Sequence, residues 1–190
     1  MRPSPFTNTF RRNTCVWPAA ICAIADALGA RATSFTIADP EGRSPPFYVA
    51  PRTDPEWVEK YAARWARSNI VRDRSAALPL GAIYGFEDLG IPRSEFDRSE
   101  FYNEFFAPQC LNFALLALSV KEAAAVGAVG FYRSAQDGQF DRRKQRLLQA
   151  LSPHLQRAVS LNLRLAQVAM QRDSMEPEAA LMSSGNSRKT

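Results

Sequence analysis

Three groups of residues have the types and spacing that chemistry requires. Trp57, Tyr61 and Trp65 stand four apart, so a helix stacks their rings on one face in adjacent turns. Such a face either packs on a sheet or walls a pocket in which indole N–H and phenol O–H groups meet a ligand. The carboxylates Glu95, Asp97, Glu100 and Glu104 are mixed with arginines, the pattern of a solvated face rather than of an acid held beside a base. Cys15, Cys22 and Cys110 are odd in number with no C-x-x-C pair, and the one histidine, His154, adjoins Pro153 in a helical run. These residues suggest neither a disulfide framework nor a zinc site, and they fit a reducing cytoplasm. There is no G-x-S-x-G and no Gly-rich phosphate loop. The expectation is a chain that is not an enzyme, with no catalytic residues, no metal and no cofactor.

The elements that position these residues follow from periodicity. With 190 residues, 46% hydrophobic and 23% charged, the chain suits one globular domain with a substantial core plus tails. Residues 1–13, with Pro3 and Pro5, read as a disordered arm. Arg11-Arg12 and the apolar run after them imitate a secretion signal. Asp26 and Pro18 interrupt that run, however, and Trp17, Ile21, Ile24 and Leu28 share one helical face, so a helix is expected to about Leu28. Thr33, Phe35 and Ile37 alternate with Ser34 and Thr36 as a half-buried strand, Asp39-Pro40-Glu41-Gly42 is a turn, and Phe47-Tyr48-Val49 is a second strand. Asp54-Pro55-Glu56 starts a helix that runs to about Ser68. Ile83, Tyr84 and Phe86 suggest a strand, and short helices follow to Pro108, with Phe101, Tyr102, Phe105 and Phe106 as an aromatic stripe. Phe113 to Val120 and Val126 to Tyr132 read as adjacent central strands joined by a turn around Lys121-Glu122.

The stretch from Phe140 to Met170 is a long amphipathic helix capped by Asp141, with Leu147, Leu148, Leu151, Leu155, Ala158 and Val159 on its apolar face and Pro153 placed to bend it. A second stripe, Leu161, Leu165 and Val168, outruns the domain and needs another surface. The expected dimer helix is therefore Leu155, Val159, Leu161, Leu165 and Val168, in a homodimer. The net charge of +5 owes much to Arg142, Arg143, Lys144, Arg146, Arg157 and Arg164 on the polar face; without interleaved aromatics they read as a solvated face rather than a nucleic-acid footprint. No apolar stretch is long enough to cross a membrane. The whole order argues for an α+β domain over residues 14–170, an antiparallel sheet flanked by helices with a long C-terminal helix, and a disordered tail over 171–190.

Trp57-Val58-Glu59-Lys60-Tyr61, Ser99-Glu100-Phe101-Tyr102-Asn103-Glu104-Phe105, and Leu147-Leu148-Gln149-Ala150-Leu151-Ser152-Pro153-His154-Leu155 resemble the N-terminal sensor region of bacterial LuxR-type helix-turn-helix regulators. The resemblance implies a GAF/PAS-like sensor domain. It also implies, with the aromatic stripe, an apolar pocket lined by Trp57, Tyr61 and Tyr102 over a floor of Phe86 and Phe113. In lactone-binding members the Trp-x-x-x-Tyr pair is followed by Asp-Pro; here Asn69-Ile70 stands in that place, without an anionic partner for a lactone amide. The sequence holds no recognition helix, so no sequence-specific DNA binding is expected of this chain alone. It reads as a shortened regulator or a free-standing sensor, whose partner is a small-molecule ligand, a second copy or a full-length regulator.

Overall fold

The computed structural model describes residues 16–39, 46–123 and 125–185, and the side chains among them other than 16, 166, 167 and 169–185. The expected arm at 1–13, Cys15 and all but the first residue of the turn from Asp39 lie outside the described residues. The fold is α+β. Five strands, β1 (Ala32–Ala38), β2 (Phe47–Val49), β3 (Ile83–Tyr84), β4 (Phe113–Glu122) and β5 (Ala125–Arg133), form one antiparallel sheet in the order β2-β1-β5-β4-β3. The hairpin of β4 and β5 is central, as the two apolar runs suggested. Its turn is displaced from the expected place: Lys121 and Glu122 remain paired, with Val126 and Ala125, because an irregularity between Leu118 and Val120 shifts the register and lengthens the strand.

Helices cover both faces of the sheet. On one, α1 (Val16–Leu28) and the long α5 (Arg142–Gly185) bury Trp17, Ile21, Leu28, Leu148, Leu155, Val159 and Leu163 against Phe35, Ile37, Leu115 and Phe131. The other face is aromatic and is built from α2 (Pro55–Lys60), α3 (Ile70–Ser75), α4 (Arg93–Phe96) and the turns between them. The half-buried strand expected at Thr33 to Ile37 is instead covered on both sides: Thr33 and Ser34 are buried along with Phe35 and Ile37. Ile83-Tyr84 is a strand, but Phe86–Leu89 leaves it as a 3-10 turn, with the Asp88 carboxylate accepting from the Gly85 N–H at 2.7 Å.

The long helix departs from its expected face. Leu148, Leu155, Val159 and Leu163 are the residues that turn inward, whereas Leu147 is exposed and Leu151 half-buried, because one side of a cylinder cannot bury both adjacent rows. Asp141 caps it as expected, accepting from the Lys144 N–H at 2.9 Å. The helix runs through Pro153 and on to Gly185, so the tail expected from 171 is helical backbone to that point. Good helix formers, chiefly Leu, Ala, Arg, Gln and Met, make up most of its sequence and outweigh Pro177. Residues 186–190 lie outside the described residues.

Candidate ligand-binding site

The expected single helix over Trp57, Tyr61 and Trp65 is in fact α2 followed by a π-helical turn, Tyr61–Trp65, closed by the Ala66 N–H donating to the Tyr61 carbonyl at 2.8 Å. A second π-helical turn, Tyr102–Phe106, faces it. An i to i+5 bond widens the turn and rotates the residues after it. Tyr61, at the start of the turn, is buried against the sheet, Trp65 is buried against Phe101 at 5.1 Å, and Trp57 stays half-buried, edge-on to Phe105 at 6.1 Å. Outside, Arg64 ties the two turns together through Glu100 at 3.1 Å and through Glu104.

Between these turns and the sheet lies a cavity of about 50 Å³. Apolar walls come from Phe101, Phe105, Phe106, Leu111 and Leu116. The Tyr48 ring stacks on Tyr61 with centroids 4.0 Å apart, and both line the cavity. The remaining lining is hydroxyl-rich, with Ser34, Thr36, Ser75, Tyr84 and Tyr132 among it. The Ser34 and Tyr132 hydroxyls share one hydrogen bond of 2.9 Å. Gly130 makes room for that pair, since a Cβ there would stand 2.6 Å from the Tyr132 phenol oxygen and 3.1 Å from Ser34 Oγ. Asn69 Nδ2 donates to the Tyr61 phenol oxygen at 2.9 Å, while Asn69 Oδ1 caps α3 by accepting from the Arg72 N–H at 3.1 Å.

Electrostatically the cavity is neutral. Burial pushes the phenols of Tyr48, Tyr61, Tyr84 and Tyr132 above their ordinary value, Tyr84 up to about 12, so they remain protonated donors near neutral pH. Arg72 lines the cavity, but its guanidinium donates to the carbonyls of Ala66 at 2.8 Å and Arg67 at 3.2 Å and to Asp73 at 2.7 Å. Its charge is thus neutralised by Asp73 rather than aimed inward. No group of His, Cys, Asp and Glu among the described residues is placed to hold a metal ion.

Of the residues expected to line a pocket, Tyr61 alone lines this cavity. Trp57 sits outside the lining, and Phe86 and Tyr102 lie behind it in the aromatic cluster, with the Tyr102 phenol oxygen accepting from Asn112 Nδ2 at 3.1 Å. Phe113 shares the alternation of Leu115 and Ala117, which puts it on the other face of the sheet, in an open cleft with Phe140 and Gln145. The alternation of Ser34 and Thr36 with Phe35 and Ile37 marks a half-buried strand and carries no sign of the hydroxyl lining. The signal that could have found it is Gly127 and Gly130, glycines inside a strand that mark close approach by a neighbour. Of the residues expected in the dimer helix, Leu155 and Val159 belong to the core of their own domain, whereas Leu161, Leu165 and Val168 are 59%, 50% and 53% exposed. The arginines of the polar face, Arg142, Arg143, Arg146, Arg157 and Arg164, are exposed, as a solvated face requires.

No protein-family model matches the sequence, and no curated protein matches it. Solved structures do. The LBD domain of VqsR from Pseudomonas aeruginosa superposes with a TM-score of 0.62 at 13% identity, over 84% of this chain and 90% of that one. CepR2 from Burkholderia cenocepacia, an N-acylhomoserine-lactone-dependent LuxR-family transcription factor, follows with a TM-score of 0.53 at 18% identity, over 77% of this chain and 83% of that one. Escherichia coli SdiA is similar with a TM-score of 0.54 at 15% identity, over 75% of this chain and 57% of that one. The fold is that of the ligand-binding domains of LuxR-type regulators. Among the described residues no helix is long and apolar enough to cross a membrane.

Proposed function

We propose that this chain is a ligand-sensing regulatory domain that takes a small molecule into the cavity between the sheet and the two π-helical turns and passes its occupancy to the long helix. The observation that carries this is a partly open space with aromatic walls and a lining of hydroxyls, of which Tyr61, Tyr84, Tyr132 and Ser34 belong to buried residues. Two structural neighbours take small molecules: CepR2 is N-acylhomoserine-lactone-dependent, and SdiA has been solved with octanoyl-rac-glycerol. Leu116 on the cavity side of β4 alternates with Leu115 and Ala117 under α5, so a change in cavity packing reaches the helix through one strand. The protein acts in the cytoplasm and is not an enzyme in this reading.

The output is pairing through the exposed stripe Leu161, Leu165 and Val168, in a homodimer. A second reading rests on that same stripe: a ligand-free module that uses it to capture a full-length regulator. Thermal unfolding and tryptophan fluorescence, measured across a broad metabolite panel, separate the two. A compound that raises the melting temperature of the wild-type protein but not of Tyr61→Ala supports sensing; a panel without effect, together with heterodimer formation, supports the module.

A further inference from the structure

We infer that two copies of this chain pair as a parallel, in-register coiled coil along a seam of α5 from Leu147 to Val168, with the partner helix seated in the groove between α1 and α5. The inference rests on the homodimer proposed above and adds the faces that meet and their direction. Three observations carry it.

The first is the period. Leu147, Leu151, His154, Ala158, Leu161, Leu165 and Val168 follow one another in alternating steps of four and three. That is the 3.5-residue repeat of a coiled-coil seam, sustained over about 32 Å of helix. None of these residues is buried: Leu151 and Ala158 are half-buried and the others are exposed. The residues that α5 does bury, Leu148, Ser152, Leu155, Val159 and Leu163, form a separate row beside the seam. The helix thus carries two rows, and its own domain uses one.

The second is a receiving surface. Trp17, Ala20 and Ile24 of α1 and Leu151, His154 and Ala158 of α5 line a mostly apolar groove of about 440 Å³. The seam forms one wall of this groove and runs on from it to Leu161, Leu165 and Val168. A helix laid on the seam therefore fills the groove and brings α1 into the contact.

The third is charge. The column of residues that flanks the seam on one side, Arg143, Ala150, Arg157 and Arg164, holds arginines and no acid. In a parallel pair each flanking residue faces the residue five further along the other helix, so Arg157 meets the partner's Asn162, and Arg164 meets position 169, an alanine. In an antiparallel pair the column faces itself. The two antiparallel registers that overlap the seam most fully set Arg157 against either the partner's Arg164 or the partner's Arg157, a like-charge contact that disfavours that direction. Parallel pairing in register also brings His154 to the partner's His154, where the two imidazoles can share a hydrogen bond. A slip of one heptad sets His154 against leucine and leaves it without that partner.

Light scattering on the full chain, with crosslinking of Leu147→Cys and Val168→Cys variants, tests this. The two variants are oxidised separately and as a mixture, and tryptic mass mapping assigns the joined positions, which separates them from any link through the chain's own cysteines. The expected result is a dimer in which 147 joins 147 and 168 joins 168, each variant crosslinking by itself. Ala20→Glu, at an exposed position on the groove wall, should weaken pairing at least about tenfold with the melting temperature unchanged. If 147 joins only 168, and only in the mixture, the direction is wrong while the homodimer stands. If a dimer forms with neither crosslink, or ignores Ala20→Glu, the face is wrong while the homodimer stands. A monomeric wild-type chain, including one that pairs only with a full-length regulator, ends the inference and the homodimer reading together.

Discussion

Asn69 joins the π-helical turn to α3, and its removal puts the scaffold of the cavity to the test. The side chain is 8% exposed; Oδ1 accepts from the Arg72 N–H at 3.1 Å and Nδ2 donates to the Tyr61 phenol at 2.9 Å. Asn69→Ala removes a helix cap, worth about 1 kcal/mol. It also removes one buried hydrogen bond, about 1 kcal/mol net, while Tyr61 keeps a second partner in Thr36. The expected loss is roughly 2 kcal/mol, or about 4–8 °C in melting temperature for a chain of this size. Asn69→Ser separates the contributions, since serine caps a helix but is too short to reach the phenol, and should cost about half as much. In urea denaturation followed by circular dichroism, a double-mutant cycle with Tyr61→Phe should give a coupling of about 1 kcal/mol. Strict additivity, or an Asn69→Ala loss below about 0.5 kcal/mol, would refute the claim that this residue holds the tyrosine in place.

Leu155→Ala should cost about 2–5 kcal/mol in unfolding experiments because Leu155 is a core residue. Leu161→Asp with Leu165→Asp should leave stability within about 0.5 kcal/mol per site yet yield monomers by light scattering. Trp65→Phe should cost less than about 1 kcal/mol, against about 3–5 for Trp65→Ala, because the buried indole Nε1 has no partner among the described residues and its removal relieves a desolvation penalty. Stability should also fall in alkali. The folded phenols, Tyr84 at about 12 among them, lie above the unfolded value of 10.0, so the unfolded chain releases protons first. Their contribution is complete below about pH 10 and is lost as pH rises toward 12, which denaturation midpoints at pH 8, 10 and 11 will show.

Periodicity was enough to place the sheet and the outer helices. The apolar runs at 113–120 and 126–132 had to be buried on both faces, and the stripe through Trp17, Ile21 and Leu28 had to be a helix. What escaped was decided by tertiary packing. Trp57, Tyr61 and Trp65 have ideal spacing for one helical face, and nothing local announces that an i to i+5 bond will separate them. Ser34 and Thr36 look like the wet side of a strand until helices from 55–109 cover it. Leu155 and Leu161 are equally apolar in sequence; which of them meets the domain depends on how the long helix lies against α1 and the sheet, information that helical spacing does not contain.

The central claim, that a small molecule occupies the cavity beneath Tyr61 and Tyr132, is tested most directly by native mass spectrometry of the protein purified from its native host, beside an Ala128→Phe variant whose new ring fills the space that Ala128 lines. The account predicts a discrete small-molecule adduct on the wild-type chain that is missing from the variant, with both proteins folded by circular dichroism. An adduct carried equally by both would place the ligand elsewhere, and a bare wild-type chain whose melting temperature also ignores cell extract would contradict the claim.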